Sequence, residues 1–231
     1  MGTGMIGMQW IIFIGIAVVS WLVQMNLQNK FKKYSKIPTG NGMTGADVAL
    51  KMLHDNGIYD VKVTHTPGHL TDHYNPVDKT VNLSEGVYSS NSIMAAAVAA
   101  HECGHAVQHA RAYAPLTLRS KLVPVVSFAS QWMSWLLLAG ILMLNSFPQL
   151  LLAGIILFAT TTLFSFITLP VEINASQRAL VWLSRSGITN SYNHAQAEDA
   201  LRSAAYTYVV AALGSLATLV YYVMIFLNRR D

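Results

Sequence analysis

Three stretches of this chain carry no charged side chain at all: residues 1–29, 122–171 and 203–228. A helix rises about 1.5 Å per residue and the hydrocarbon core of a bilayer is about 30 Å thick, so about 20 apolar residues suffice to cross. The first stretch holds one span, MIGMQWIIFIGIAVVSWLVQM. The second is too long for one helix, and NSFPQ at its centre, with Pro148, reads as a tight turn. Its pattern predicts a helical hairpin, one span around Val125 to Leu144 and the return from about Leu150 to Leu169. AAYTYVVAALGSLATLVYYVMIFL supplies a fourth span. The low charged fraction, 11%, and a mean hydropathy of +0.38 agree with a membrane protein rather than a soluble one.

Orientation follows from where the cations lie. No Lys or Arg precedes the first apolar run, which argues against a secretory signal, and the basic cluster KFKKYSK follows it. Of fifteen Lys and Arg, thirteen fall in 30–121 and 172–202, segments that four spans put on one face; Arg229 and Arg230 fall on the other. The positive-inside rule makes the crowded face cytoplasmic and both termini external. The net charge of +4 is then explained by residues hugging anionic headgroups and requires no nucleic acid. A single cysteine, Cys103, excludes an intrachain disulfide.

The polar segments have their own punctuation. MTGADVALKMLHDNGIYDV predicts a helix with Thr44 as N-cap, Asp47 at capping-box distance and Gly57 just past the end. DVKVTHTPG and KTVNLSEG alternate β-branched residues between Gly and Pro and read as short strands, with HLTDHYNP between them as a turn or irregular strand. A helix over about Ser92 to Ala112 follows, capped by Asn91 or Ser92 and stopped before Pro115. PVEINASQRALVWLSRSG predicts another, with Pro170 in its first turn and Gly187 at its stop.

The Ser92–Ala112 helix contains AAHECGHAVQ. Residues four apart share one helix face, so His101 and His105 can present two imidazoles to one ion. Glu102 stands beside them, able to take a proton from a water that the ion activates. Gly104 leaves this face open to a neighbouring backbone. A catalytic zinc site needs a third protein ligand. His109 lies a further turn along, where a straight helix carries it away, and no glycine turn brings a distant histidine back. Glu172 fits better because it follows the return span, where the chain re-enters the side it left near Lys121, and it is the only acidic residue between Glu102 and Glu198. A carboxylate stabilising a helix N-terminus after Pro170 is the other reading of that residue.

AAHECGHAVQ together with LPVEINASQRAL, GHLTDHYNP and VNLSEGVY resembles, over nearly the whole chain, the membrane-embedded neutral zinc metallopeptidases of bacteria. More distantly, the pairing of H-E-x-G-H with a Glu-x-x-Ala helix is similar to the membrane gluzincins that include the CAAX prenyl endopeptidase and the heat-shock membrane protease. The resemblance implies zinc held by His101, His105 and Glu172, with Glu102 as the catalytic base. Those gluzincins usually carry Asp four residues after the ligand Glu, where this chain has Ser176.

The expected protein is therefore mainly α and multi-pass in the bacterial cell membrane, with four transmembrane helices and a zincin-like α+β catalytic portion on the cytoplasmic side. Its expected parts are an N-terminal span (1–29), a catalytic portion with the HExxH helix (30–121), a transmembrane hairpin (122–170), a cytoplasmic helix with the third ligand (171–202) and a last span (203–231). The expected activity is zinc-dependent hydrolysis of peptide bonds in peptides or membrane-protein segments, with KTVNLS as the edge strand that holds an extended substrate. His73, Tyr74 and Arg178 are the candidates for stabilising the oxyanion. His54, His65, His69 and His194 are read as structural. The rival readings are a site-2-type intramembrane metalloprotease, with its motif inside a span and an Asp ligand, and a catalytically silent membrane scaffold. Protein partners and oligomeric state are open.

Overall fold

The computed structural model describes residues 2–228, with side chains from residue 10 onward; Arg229 and Arg230 lie outside the described residues. Helix α1 (Gly2–Tyr34) is followed by α2 (Gly45–Asp55), β1 (Lys62–Thr66), β2 (His73–Asn75) and β3 (Thr80–Ser84). Then come α3 (Glu85–Tyr88), α4 (Ile93–Ala110), α5 (Ala114–Leu142), α6 (Pro148–Arg185) and α7 (His194–Leu227). The protein is mostly helical with one small sheet, and α1, α5, α6 and α7 are each long and apolar enough to cross a bilayer. Helix α4, which carries the histidine motif, is not among them.

Two compact units emerge. One comprises Met1–Val23, Leu118–Leu169 and Thr207–Asp231. Its large apolar side chains turn outward, Trp10 at 60% exposure and Trp135 at 69% among them, as expected when the surrounding medium is hydrocarbon. Helix pairing relies on small residues: a Cβ added at Gly140 would stand 2.4 Å from the Leu151 backbone, and one at Gly154 would meet Leu137 at 2.9 Å. The Thr162 and Ser215 hydroxyls share a hydrogen bond of 2.7 Å.

The other unit comprises Gln24–Thr117 and Pro170–Tyr206. Thr44 and Asp47 form the expected capping box at the start of α2, and Gly57 takes the left-handed φ of 74° that ends it. Val48, Met52 and Leu53 from α2 pack with Val81, Leu83 and Val87 beside α4. Fourteen of the eighteen residues of α4 are buried, Glu102, His105 and Gln108 among them, so this helix is enclosed on nearly every side and forms the centre of the unit. Its alanines let neighbours approach closely.

The structure departs from the sequence reading in three ways. The strand order is β1-β3-β2, with β3 parallel to β1 and antiparallel to β2. KTVNLS is thus the central strand, its pairing edges already taken, and cannot be the edge that receives a substrate. The edge beside α4 belongs instead to the three residues of β2. Pro170 does not begin a new helix but lies inside the continuous α6, where the lack of an N–H forfeits one intrahelical bond to the Phe166 carbonyl. Glu85 and Gly86, read as the end of the strand KTVNLSEG, belong instead to the short helix α3.

Candidate metal centre

The site starts from a close crossing. A Cβ on Gly104 would lie 2.7 Å from the Ala175 carbonyl oxygen, so α4 and the Pro170–Arg185 portion of α6 touch backbone to backbone. Glu172, one turn before Ala175, is brought against the motif face of α4. Its Oε2 lies 3.3 Å from His101 Nε2 and 3.4 Å from His105 Nε2. One donor atom from each of the three residues falls within 4.8 Å of the others, making His101, His105 and Glu172 a group that could hold a metal ion. His105 and Glu172 are buried, and His101 is partly so.

The far side of each imidazole is occupied. His101 Nδ1 is 3.0 Å from Ser176 Oγ, so the residue four positions after Glu172 reaches the first histidine although it is a hydroxyl rather than a carboxylate. His105 Nδ1 is 3.0 Å from Gln108 Oε1, and Gln108 Nε2 donates to the Val171 carbonyl at 2.8 Å and to Asn174 Oδ1 at 3.0 Å. Burial pushes the His105 imidazole toward its neutral form, but hydrogen bonding to Glu172 and the charges of Glu102 and Glu172 outweigh it, raising its pKa above the ordinary histidine value.

Glu102 is buried, and its Oε2 accepts a hydrogen bond of 3.1 Å from the Tyr74 backbone N–H. The Tyr74 hydroxyl meets His109 Nδ1 at 3.0 Å, so His109 is directed at β2 and does not join the cluster. His73 Nδ1 turns back to the Thr71 carbonyl at 2.8 Å. Arg178 Nε donates to Asn174 Oδ1 at 2.7 Å, and its guanidinium lies over the Tyr113 ring. Of the three candidates for the oxyanion, Tyr74 alone among them hydrogen-bonds Glu102. His65 pairs with Glu85 at 2.7 Å, His194 Nδ1 with Thr189 Oγ1 at 2.8 Å, and His69 packs edge-on to Phe31. Cys103 is buried, which raises its thiol pKa well above the ordinary value.

Gln108 and Asn174 were not singled out from sequence. Gln108 stands three residues after His105 on an otherwise apolar buried helix, and that spacing is the signal that could have marked it.

The donor set suits zinc on structural grounds. Two imidazole nitrogens and one carboxylate oxygen form a known catalytic zinc combination, with bonds of about 2.0–2.1 Å, and the ligands of a tetrahedral ion then stand about 3.3 Å apart. The observed 3.3 and 3.4 Å match that edge and are longer than a good N–H···O bond of about 2.7–3.2 Å.

A mostly helical, membrane-spanning chain whose buried HExxH helix joins with Glu172 of α6 in a His/His/Glu cluster defines a membrane metallopeptidase architecture, and this chain belongs to the family described as "Putative neutral zinc metallopeptidase", whose model matches residues 9–227. It is similar to "Putative membrane protease YugP" of Bacillus subtilis (strain 168), with 46% identity over 222 residues, covering 95% of this chain and 98% of that one. No solved structure matches. Zinc is the metal the family implies, and membrane embedding agrees with the four apolar helices.

Proposed function

We propose that the chain is a zinc-dependent metalloendopeptidase, with His101, His105 and Glu172 as the zinc ligands and Glu102 as the general base. The observation that carries this reading is the pair of near-equal separations, 3.3 and 3.4 Å, between Glu172 Oε2 and the two Nε2 atoms. Zinc held there would supply Lewis acidity, lowering the pKa of a water and polarising the scissile carbonyl. Glu102 takes the proton of the attacking water and later gives it to the leaving amine nitrogen. The Tyr74 N–H keeps Oε2 in place, so Oε1 is the oxygen that accepts the proton. Ser176 and Gln108 hold the two imidazoles with their Nε2 atoms toward Glu172.

An extended substrate lies along β2 in this proposal. Antiparallel pairing alternates residues that bond across the ladder with residues that do not. With His73 opposite Asn82, Tyr74 opposite Val81 and Asn75 opposite Thr80, the Tyr74 N–H turned to Glu102 shows that the main chain of this residue faces away from β3. The Tyr74 carbonyl is then the group that receives a substrate N–H. Substrates are peptides or membrane-protein segments reached from the cytoplasmic side, with both termini of this chain external, because thirteen of fifteen basic residues lie in 30–121 and 172–202. In this arrangement 1–29, 122–170 and 203–231 anchor, and 30–121 with 171–202 catalyse.

An intramembrane site-2-type arrangement is disfavoured because α4 is not one of the apolar span-length helices. Glu102→Gln separates catalysis from binding: purified protein should retain stoichiometric zinc while peptide cleavage falls by about 10²–10⁴-fold. Undiminished cleavage in that variant would refute the role of Glu102.

A further inference from the structure

Gln108 is fully buried, at 0% exposure, in the last turn of α4. Which way a buried amide faces is decided by its partners. Its Nε2 lies 2.8 Å from the Val171 carbonyl oxygen, which can only accept. The amide nitrogen therefore faces α6, and Oε1 faces His105 Nδ1 at 3.0 Å. Because Oε1 can also only accept, Nδ1 carries a hydrogen, and the neutral ring keeps its lone pair on Nε2, the atom 3.4 Å from Glu172.

The constraint extends outward. Gln108 Nε2 also donates to Asn174 Oδ1 at 3.0 Å, and Arg178 Nε donates to the same oxygen at 2.7 Å. A guanidinium has donors and no acceptor, so a flipped Asn174 would set N–H against N–H on both sides. Val171, Asn174 and Arg178 recur at three- and four-residue spacing, which puts them on one face of α6. His101 differs: its Nδ1 meets the Ser176 hydroxyl at 3.0 Å, and a hydroxyl can donate or accept, leaving both tautomers open.

We propose that Arg178, Asn174 and Gln108 form a positioning relay that locks His105 as the Nδ1–H tautomer, presenting Nε2 to the metal, while the Ser176 contact leaves His101 adjustable. The metal half of this statement rests on His105 being a zinc ligand; the tautomer half does not. The three are positioning residues, since they act through His105.

The test uses the full chain in detergent with two readouts. Long-range ¹H–¹⁵N correlation of the imidazoles, in metal-free protein at alkaline pH, reports which ring nitrogen bears the hydrogen. Competition with a chelator reports zinc affinity. Gln108→Glu keeps an acceptor toward Nδ1, whereas Gln108→Met fills the space without one. A purely packing role predicts that Met is tolerated and the buried carboxyl is not; the relay predicts the reverse order at His105. The expected result is an Nδ1–H signature for His105 in the wild type and in Gln108→Glu. In Gln108→Met that signature is lost and the zinc Kd rises about tenfold, the low end for partners of metal-binding histidines. Arg178→Met, at a half-buried position outside the core, removes only the outer donor: the Val171 carbonyl still orients Gln108, so the Nδ1–H signature of His105 should persist while the zinc Kd rises less than in Gln108→Met, and Arg178→Gln, which retains an N–H donor, should restore the wild-type affinity. An Nε2–H ring in the wild type, or Gln108→Met keeping both the signature and its zinc affinity, would overturn the relay. A wild-type Nδ1–H signature without zinc binding would instead overturn the zinc reading and leave the tautomer lock standing.

Discussion

Replacing Gly104 with alanine probes the crossing on which the metal centre depends. The new Cβ would meet the Ala175 carbonyl oxygen at 2.7 Å and its Cα and carbonyl carbon at 3.1 Å, against about 3.4 Å for ordinary contact. Every one of these is a backbone atom, so no rotamer change relieves the clash, and the two helices must part locally by about 0.7 Å. Alanine gains about 0.8–1.0 kcal/mol in helix propensity, while overpacking costs about 1–3 kcal/mol. The net loss of stability is therefore up to about 2 kcal/mol. The site is far less tolerant, because His101 and His105 ride on α4 and Glu172 on α6, and metal–ligand distances hold to about 0.2 Å. Gly104→Ala should weaken zinc binding about tenfold or more while the metal-free protein still folds, melting at most about 8 °C below the wild type. The measurements are chelator competition and thermal unfolding in detergent with and without EDTA. Zinc affinity within about twofold of the wild type would refute the argument that this contact sets the spacing of the ligands.

Other outcomes follow from the same geometry. Glu172→Gln keeps the shape but removes the anionic donor, so the purified protein should lose stoichiometric zinc, as should His101→Ala, by metal analysis. Protons compete with the ion at His105 Nε2: with the pKa of this group raised, zinc affinity should fall as pH drops through neutrality and below, measured by titration at several pH values. In metal-free protein the sign for stability is opposite, since a raised imidazole pKa stabilises fully below the unfolded value and the contribution disappears as pH rises through the folded one. Thr44→Ala removes the α2 cap and should cost about 1 kcal/mol in unfolding experiments. The Asp47 carboxyl, held below its usual pKa by hydrogen bonds from Thr44, should lose its stabilising effect as pH falls through the folded-state value.

Sequence and structure agreed where the information was local. The capping box of Thr44 and Asp47, Gly57 past the end of α2, and the i, i+4 pairing of His101 and His105 each depend on a few consecutive residues and one period. Glu172 was reached through topology, since a hairpin of two spans returns the chain to the side it left. The errors were in relations between elements. Alternation in KTVNLS shows a strand but not its neighbours, and β2, only His-Tyr-Asn, has no apolar alternation to announce it, so local pattern does not distinguish the central strand from an edge. Pro170 favours the first turn of a helix, yet it is accommodated within a 38-residue α6, where one missing bond is a small part of the whole. The Gln108–Asn174 contact joins residues 66 positions apart and leaves no periodic trace.

Helix α4, enclosed on nearly all sides, keeps its amides away from water and so ranks among the segments slowest to open in local fluctuations. The two imidazoles and the Glu102 carboxylate thus share a stiff mount whose spacing survives loss of the ion. The remaining donor, Glu172, arrives from another part of the chain. A metal held by all three would thus be gripped by two separate helices, α4 and α6, and a slight parting of the two would open the site without unravelling the helix that carries Glu102.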